Sequence, residues 1–208
     1  LAGHPDCAAT LAQLRAELRA HLLEVRDLGF MPEWRIAMLA ADGTAPADAA
    51  ADHATWPFER VLETAEGVGR PDAVPMLLER TRDVDPAVRW WACVGLHSIG
   101  VRTDECRTAL QRLLRDCPPV RIEAAYALAE GWGLPAAVEV LADSLLSHEP
   151  REALQAARAL QLLGPKAAPA AAAMRTALER SQGAGDWPMY MRFALEPALA
   201  SLSAPAPA

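Results

Sequence analysis

The stretch Asp85–Gly100 (DPAVRWWACVGLHSIG) constrains this chain most, because its frame returns twice, 32 positions later each time. Pro86, Pro118 and Pro150 form one column; Ala92, Ala124 and Ala156 a second; Leu96, Leu128 and Leu160 a third. Arg89 matches Arg121, and Gly100 matches Gly164 with Trp132 between them. Self-similarity at a fixed period in this range marks stacked helix pairs, each too small to bury its own apolar face. The expected fold is all-α, an α-solenoid of helix pairs of period 32 preceded by an N-terminal helical segment. Ala and Leu dominate and β-branched residues are few, which favours helix over strand.

Taken in order, residues 6–28 read as one amphipathic helix, with Leu11, Leu14, Leu18, Leu22, Val25 and Leu28 at steps of three and four. Asp6 is placed to cap its start and Gly29 to end it. Pro32 opens a shorter helix through Ala41, with Trp34, Ile36 and Leu39 as its apolar residues. Residues 42–55 are small and polar and read as an irregular loop with one helical turn. Pro57 opens another helix, with Phe58, Val61 and Leu62 facing inward. The first repeat unit has helices over about 71–82 and 86–99, the second unit covers about 103–133, the third 134–164, and a degenerate fourth 165–202. In the second helix of the first unit, Val88, Trp91, Ala92, Gly95, Leu96 and Ile99 form the expected buried stripe. The chain thus divides into an N-terminal segment (1–69), a repeat solenoid (70–202) and a disordered tail (203–208, SAPAPA).

Asp85-Pro86-Ala87-Val88-Arg89 resembles the opening of HEAT-like repeats of the short kind. Cys117-Pro118-Pro119-Val120-Arg121 keeps all of it but the Asp, and His148-Glu149-Pro150-Arg151-Glu152-Ala153 keeps little beyond the Pro. The resemblance covers about 70–202 and speaks for fold, not function.

Net charge is −7 with no Lys/Arg-rich run, which argues against nucleic acid or an anionic membrane as the main partner. The most apolar run, Ala167–Met174, is too short to span a bilayer and contains Pro169. Cys7, Cys93, Cys106 and Cys117 show no CxxC spacing and no paired His framework, so they read as structural thiols rather than zinc ligands. No Gly-rich phosphate loop and no recognisable nucleophile, base and acid order occurs. No residue is assigned a catalytic, metal or cofactor role.

Three features invite a binding role. Arg89 and Arg121 form a ladder, read either as a cationic groove for an anionic ligand such as a sulfated sugar, or as guanidiniums bonded to Asp85 or Asp116 and neighbouring carbonyls. The proximity of each Asp favours the second reading. Trp90, Val94 and His97 lie on the side of their helix away from the stripe, and Tyr126 takes the Val94 column one repeat later. They read as an exposed partner-binding face or as packing against residues 6–67, with packing favoured. Arg89, Trp90, His97, Arg121 and Tyr126 are together the candidate binding surface. An acidic groove lined by Glu123 and Glu130 would favour a cationic peptide. Cys117–Arg121 also fits C-x-P-x-R, the core of the sequence in which sulfatases convert a Cys to formylglycine. The repeat columns explain each of its members, so it reads as coincidence.

A second resemblance lies in the N-terminal third. Leu1-Ala2-Gly3-His4-Pro5 resembles the end of the segment where bacterial sulfatase-type hydrolases leave their catalytic fold. Asp27–Glu33 (DLGFMPE) and Trp56-Pro57-Phe58-Glu59-Arg60 resemble the region beyond it. The chain starts at Leu1 rather than Met and is read as a fragment. The resemblance implies the C-terminal module of a sulfatase whose formylglycine and Ca²⁺ belong to a domain before Leu1, so this stretch would be catalytically inert and need no cofactor. Its expected roles are packing on the catalytic domain, cleft shaping or subunit contacts, self-association included. The alternative is a stand-alone HEAT-like protein-binding scaffold; a small helical enzyme is the third reading.

Overall fold

The computed structural model describes residues 1, 3–41, 43–53 and 55–203. Of the tail read as disordered, 204–208 lie outside the described residues, as do Asp42 and Ala54 of the predicted loop. Ala8–Val25 form α1. Its leucines have helical spacing, yet no residue of it is buried, and Leu14 and Leu18 are each 57% exposed. It is anchored toward its C-terminal end, where Leu22 and Leu23 pack on a core and Arg19 pairs with Glu66. Gly29 does not end this helix. Arg26 does, in the left-handed region at φ 50°, a conformation that a residue with a Cβ holds only under constraint. The constraint is visible: its Nε donates to the Ala50 carbonyl at 2.6 Å, an Nη donates to the Trp56 carbonyl, and the other Nη lies 3.1 Å from His53 Nδ1. Asp6 does not cap α1 either. It sits in a 3-10 turn, Pro5–Cys7, with its own N–H on His4 Nδ1.

Glu33–Ala41 form α2, Pro46–Ala51 α3 and Phe58–Ala65 α4. The single turn expected within 42–55 is thus α3, opened by Pro46. Repeats follow as α5 (Val74–Arg80), α6 (Pro86–Ile99), α7 (Asp104–Leu113), α8 (Pro118–Trp132), α9 (Pro135–Leu145), α10 (Pro150–Leu163), α11 (Ala171–Arg180) and α12 (Asp186–Ser203). Pro86, Pro118 and Pro150 each open a helix, where a missing N–H leaves no hydrogen bond unmade. Gly100 (φ 74°) and Gly133 (φ 61°) close α6 and α8 in the left-handed conformation that terminates a helix. The helix expected from about 71 begins later than predicted, and the degenerate unit expected over 165–202 likewise does not open on an α-helix. Pro75, and then Pro165 and Pro169, remove amide donors, so each start is a 3-10 stretch, Pro71–Ala73 and Gly164–Ala170.

In space, α6, α8, α10 and α12 lie side by side in one row, with α4 ahead of them against α6; α5, α7, α9 and α11 form the row behind. The chain is an all-α helical-repeat solenoid. Its main core runs the length of the two rows, through Leu77, Leu96, Leu110, Leu128, Leu141, Leu160 and Leu195. A second core at the N-terminal end joins Met31, Trp56, Phe58, Val61 and Leu62 to Ala87 and Val88. The buried stripe of α6 differs from expectation at four positions. Ala87 and Cys93 are buried in it and Ile99 is only half-buried, whereas Trp91 turns toward the N-terminal core, its Nε1 donating to the Phe30 carbonyl at 2.9 Å. The reason is the aromatic partner there: the Phe30 ring lies 5.6 Å from both Trp91 and Phe58.

Candidate functional site

The turns between rows hold a ladder of guanidiniums. Arg89 grips Asp116 of the next unit through two bonds of 2.8 and 2.6 Å and spends a further nitrogen on the carbonyls of Asp83 and Val84. Arg121 pairs with Glu152 and reaches Ser144 Oγ at 3.3 Å. Arg60, three residues after Pro57 as Arg89 is after Pro86, adds an earlier rung on Asp83 at 3.1 Å. Burial opposes the Asp116 charge, but the Arg89 fork and the Cys117 N–H outweigh it and hold that carboxyl below the usual range. Burial likewise works against the Arg89 charge and Asp116 prevails, raising it. Asp85 is not a partner of Arg89. It caps α6 through the Ala87 N–H at 2.8 Å and pairs with Arg35 at 2.6 Å.

Arg35 belongs to α2, and the Asp85 pair fixes where the N-terminal segment runs. Residues 28–36 cross the face of the α6, α8 and α10 row and roof a cavity of about 550 Å³. Trp90, Ile122, Tyr126, Leu154 and Leu162 form its floor, Leu28, Met31, Pro32, Trp34 and Ile36 its roof, and Trp187 of α12 also lines it. Glu33, Glu123, Gln155, Arg151 and Arg158 supply the polar lining. Several of these are engaged: Arg158 donates to Gln161 at 2.6 Å, and Arg151 pairs with Glu149 and lies over the Trp187 ring at 5.5 Å. The Trp90 indole N–H is buried with no acceptor. Burial, followed by the charges of Glu123 and Glu130, raises the Tyr126 hydroxyl above its ordinary value.

Of the five residues read from the sequence as a binding surface, Trp90 and Tyr126 share this cavity. His97 stands beside it, edge-on to the Tyr126 ring at 4.6 Å and 3.6 Å from Glu123. Arg89 and Arg121 are elsewhere, in two separate clefts at the turns, each beside its carboxylate partner. The groove is not acidic. Glu123 lines it, but Glu130 is taken by Arg102 at 2.6 Å and Lys166 at 3.5 Å, and two arginines balance the two glutamates that remain. Trp34, Arg151 and Trp187 were not legible as site residues, because only the crossing of residues 28–36 brings them together. Pro32-Glu33-Trp34 carried a helix-start signal but none for where that helix would lie.

Among the described residues, no group of three or more His, Cys, Asp or Glu is arranged to hold a metal ion, and no helix is long and apolar enough to cross a membrane. Residues 59–129, from α4 to near the end of α8, match the family described as HEAT repeats. No curated protein and no solved structure matches the chain.

Proposed function

We propose that this chain is a non-catalytic protein-binding scaffold that takes up a segment of a partner polypeptide in the groove between residues 28–36 and the α6, α8 and α10 row. The cavity carries the reading. At about 550 Å³ it is large enough for several side chains, its walls are mostly apolar and aromatic, and its charges are balanced. It suits apolar anchors with a few polar contacts, which Gln155, Glu33 and Glu123 line the groove to make. Similarity to HEAT repeats over residues 59–129 supports a scaffold role. Selection of apolar peptides from a displayed library tests it. Leu162 lines the groove and is 52% exposed, so Leu162→Glu is expected to leave the fold intact and weaken selected peptides by about tenfold. Selected peptides indifferent to that change would contradict the reading.

The finer reading makes the scaffold the C-terminal module of a sulfatase-type hydrolase, packed on its catalytic domain. Leu1–Pro5, Asp27–Glu33 and Trp56–Arg60 support it by resemblance. The formylglycine and Ca²⁺ of such an enzyme do not fit this chain's own residues. Cys117 sits at a repeat turn with its N–H on Asp116, Arg121 is committed to Glu152, and among the described residues no three or more His, Cys, Asp or Glu are arranged there to hold a metal ion. Reading the coding sequence upstream of Leu1 tests this: an in-frame C-x-P-S-R or C-x-P-A-R is expected, and an unrelated domain would refute it.

A further inference from the structure

Every repeat helix from α5 to α11 buries residues, and α1 buries none. Alongside it runs a groove of about 840 Å³, separate from the one roofed by residues 28–36. Its floor is Leu22, Phe30, Leu62 and Trp91, and Leu18, 57% exposed, stands on its α1 wall. We propose that this groove docks an amphipathic α-helix of a partner protein, one that carries carboxylates beside its apolar anchors. The inference rests on the reading of the chain as a protein-binding scaffold and adds a second face to it.

Shape argues for a helix. The groove follows α1 from Arg15 to Leu22, about two helical turns or roughly 11 Å, along which a partner helix can lay anchors spaced three and four residues apart. Charge argues for its sign. Arg15, Arg19 and Arg70 edge the groove. Arg19 holds Glu66 at 3.0 and 3.2 Å and Arg70 holds Asp72 at 2.5 Å, while Arg15 has no carboxylate partner among the described residues. In a chain of net charge −7, this edge carries three guanidiniums against two carboxylates, the complement of an acidic helix. An anionic bilayer would also meet these arginines, but a flat surface does not reach a floor set between α1 and α4, and α1 carries Glu17 and Glu24 besides. A second copy of the chain fits less well, since a two-fold pairing centred on Leu14 and Leu18 would bring each Arg15 near its own copy.

The test uses the full chain and two synthetic helical peptides, identical in their leucines at helical spacing and flanked by glutamates in one and lysines in the other. Fluorescence anisotropy is expected to show the glutamate peptide binding about tenfold more tightly, with the difference shrinking as salt is raised. Leu18→Ser and Arg15→Glu, both on the exposed surface of α1, are each expected to weaken it about tenfold with the circular-dichroism melt unchanged. Leu162→Glu, in the other groove, is expected to leave it unchanged, so failure here and failure of the scaffold reading are told apart. Equal binding of the two peptides, binding of neither, or loss with Leu162→Glu instead of Leu18→Ser would overturn the proposal. So would Leu18-dependent binding to phosphatidylserine vesicles without peptide discrimination, or self-association in sedimentation that Leu18→Ser abolishes.

Discussion

Arg35 of α2 and Asp85, the capping residue of α6, meet at 2.6 Å across 50 positions of sequence. One carboxylate thereby does two jobs: it closes the first turn of a repeat helix and moors the segment that roofs the groove. The same guanidinium donates to the Thr55 carbonyl and lies 5.9 Å over the Trp56 ring, so α2, the Thr55-Trp56 stretch and the start of α6 converge on it.

Asp85→Ala removes the cap and leaves Arg35 without its carboxylate. The side chains are only 8% and 15% exposed, so the expected loss is about 2–4 kcal/mol in urea unfolding. Asp85→Asn keeps a capping oxygen and is expected to cost clearly less. Equal losses from the two would mean that the pair with Arg35, and not the cap, is what matters.

The Arg89–Asp116 rung sets an acid sensitivity. The Asp116 carboxyl is held below its ordinary value of 3.8 when folded, because the Arg89 fork and the Cys117 N–H outweigh the cost of burial. The unfolded chain therefore binds this proton first as pH falls. Stability from this group is complete above the ordinary aspartate range and is lost as pH drops through 3.8 toward the folded value. Asp116→Asn is expected to flatten that part of the stability profile, measured by urea unfolding across acid pH.

Burial, reinforced by Asp116, pushes the Cys117 thiol up to about 11 from an ordinary 9.0. What it contributes is present below 9.0 and fades as pH rises toward 11. At pH near 8 its alkylation by iodoacetamide, followed by mass spectrometry, is expected to be slow in the folded chain and fast in urea. Cys93, buried and likewise raised, is expected to behave alike.

A Cβ on Gly95 of α6 would fall 2.8 Å from both methyls of Leu77 on α5. Gly95→Ala is expected to cost about 1–2 kcal/mol, overpacking exceeding the gain in helix propensity. In a Leu77→Ala background the cost should shrink or reverse, and that coupling is read from a double-mutant cycle.

What the sequence made legible is what is local. Pro86, Pro118 and Pro150 placed three helix starts, and the Ala92 and Leu96 columns placed the core, because each pattern repeats within one unit and reports its own burial. What it hid depends on neighbours far along the chain. Arg89 was legible as a turn residue, but of Asp85 and Asp116 only the latter, 27 positions away, holds it. The Arg60 rung was missed because Pro57 precedes Pro86 by 29 positions, not 32. Trp91 has the spacing of a core residue and was drawn outward by Phe30, which no periodicity could announce. The groove itself exists only because residues 28–36 return across helices that follow them by more than fifty positions.

The most direct measurement is the distance across that groove. Glu33 and Arg158 line it from the roof and the floor row, and spin labels placed there, with Cys7 and Cys117 changed to serine, report it by pulsed electron resonance. One short, narrow distance distribution is expected in the free protein, broadened by Arg35→Ala. A broad distribution in the chain with Arg35 intact would show that residues 28–36 do not rest on the repeat row and would contradict the groove from which the proposed function was drawn.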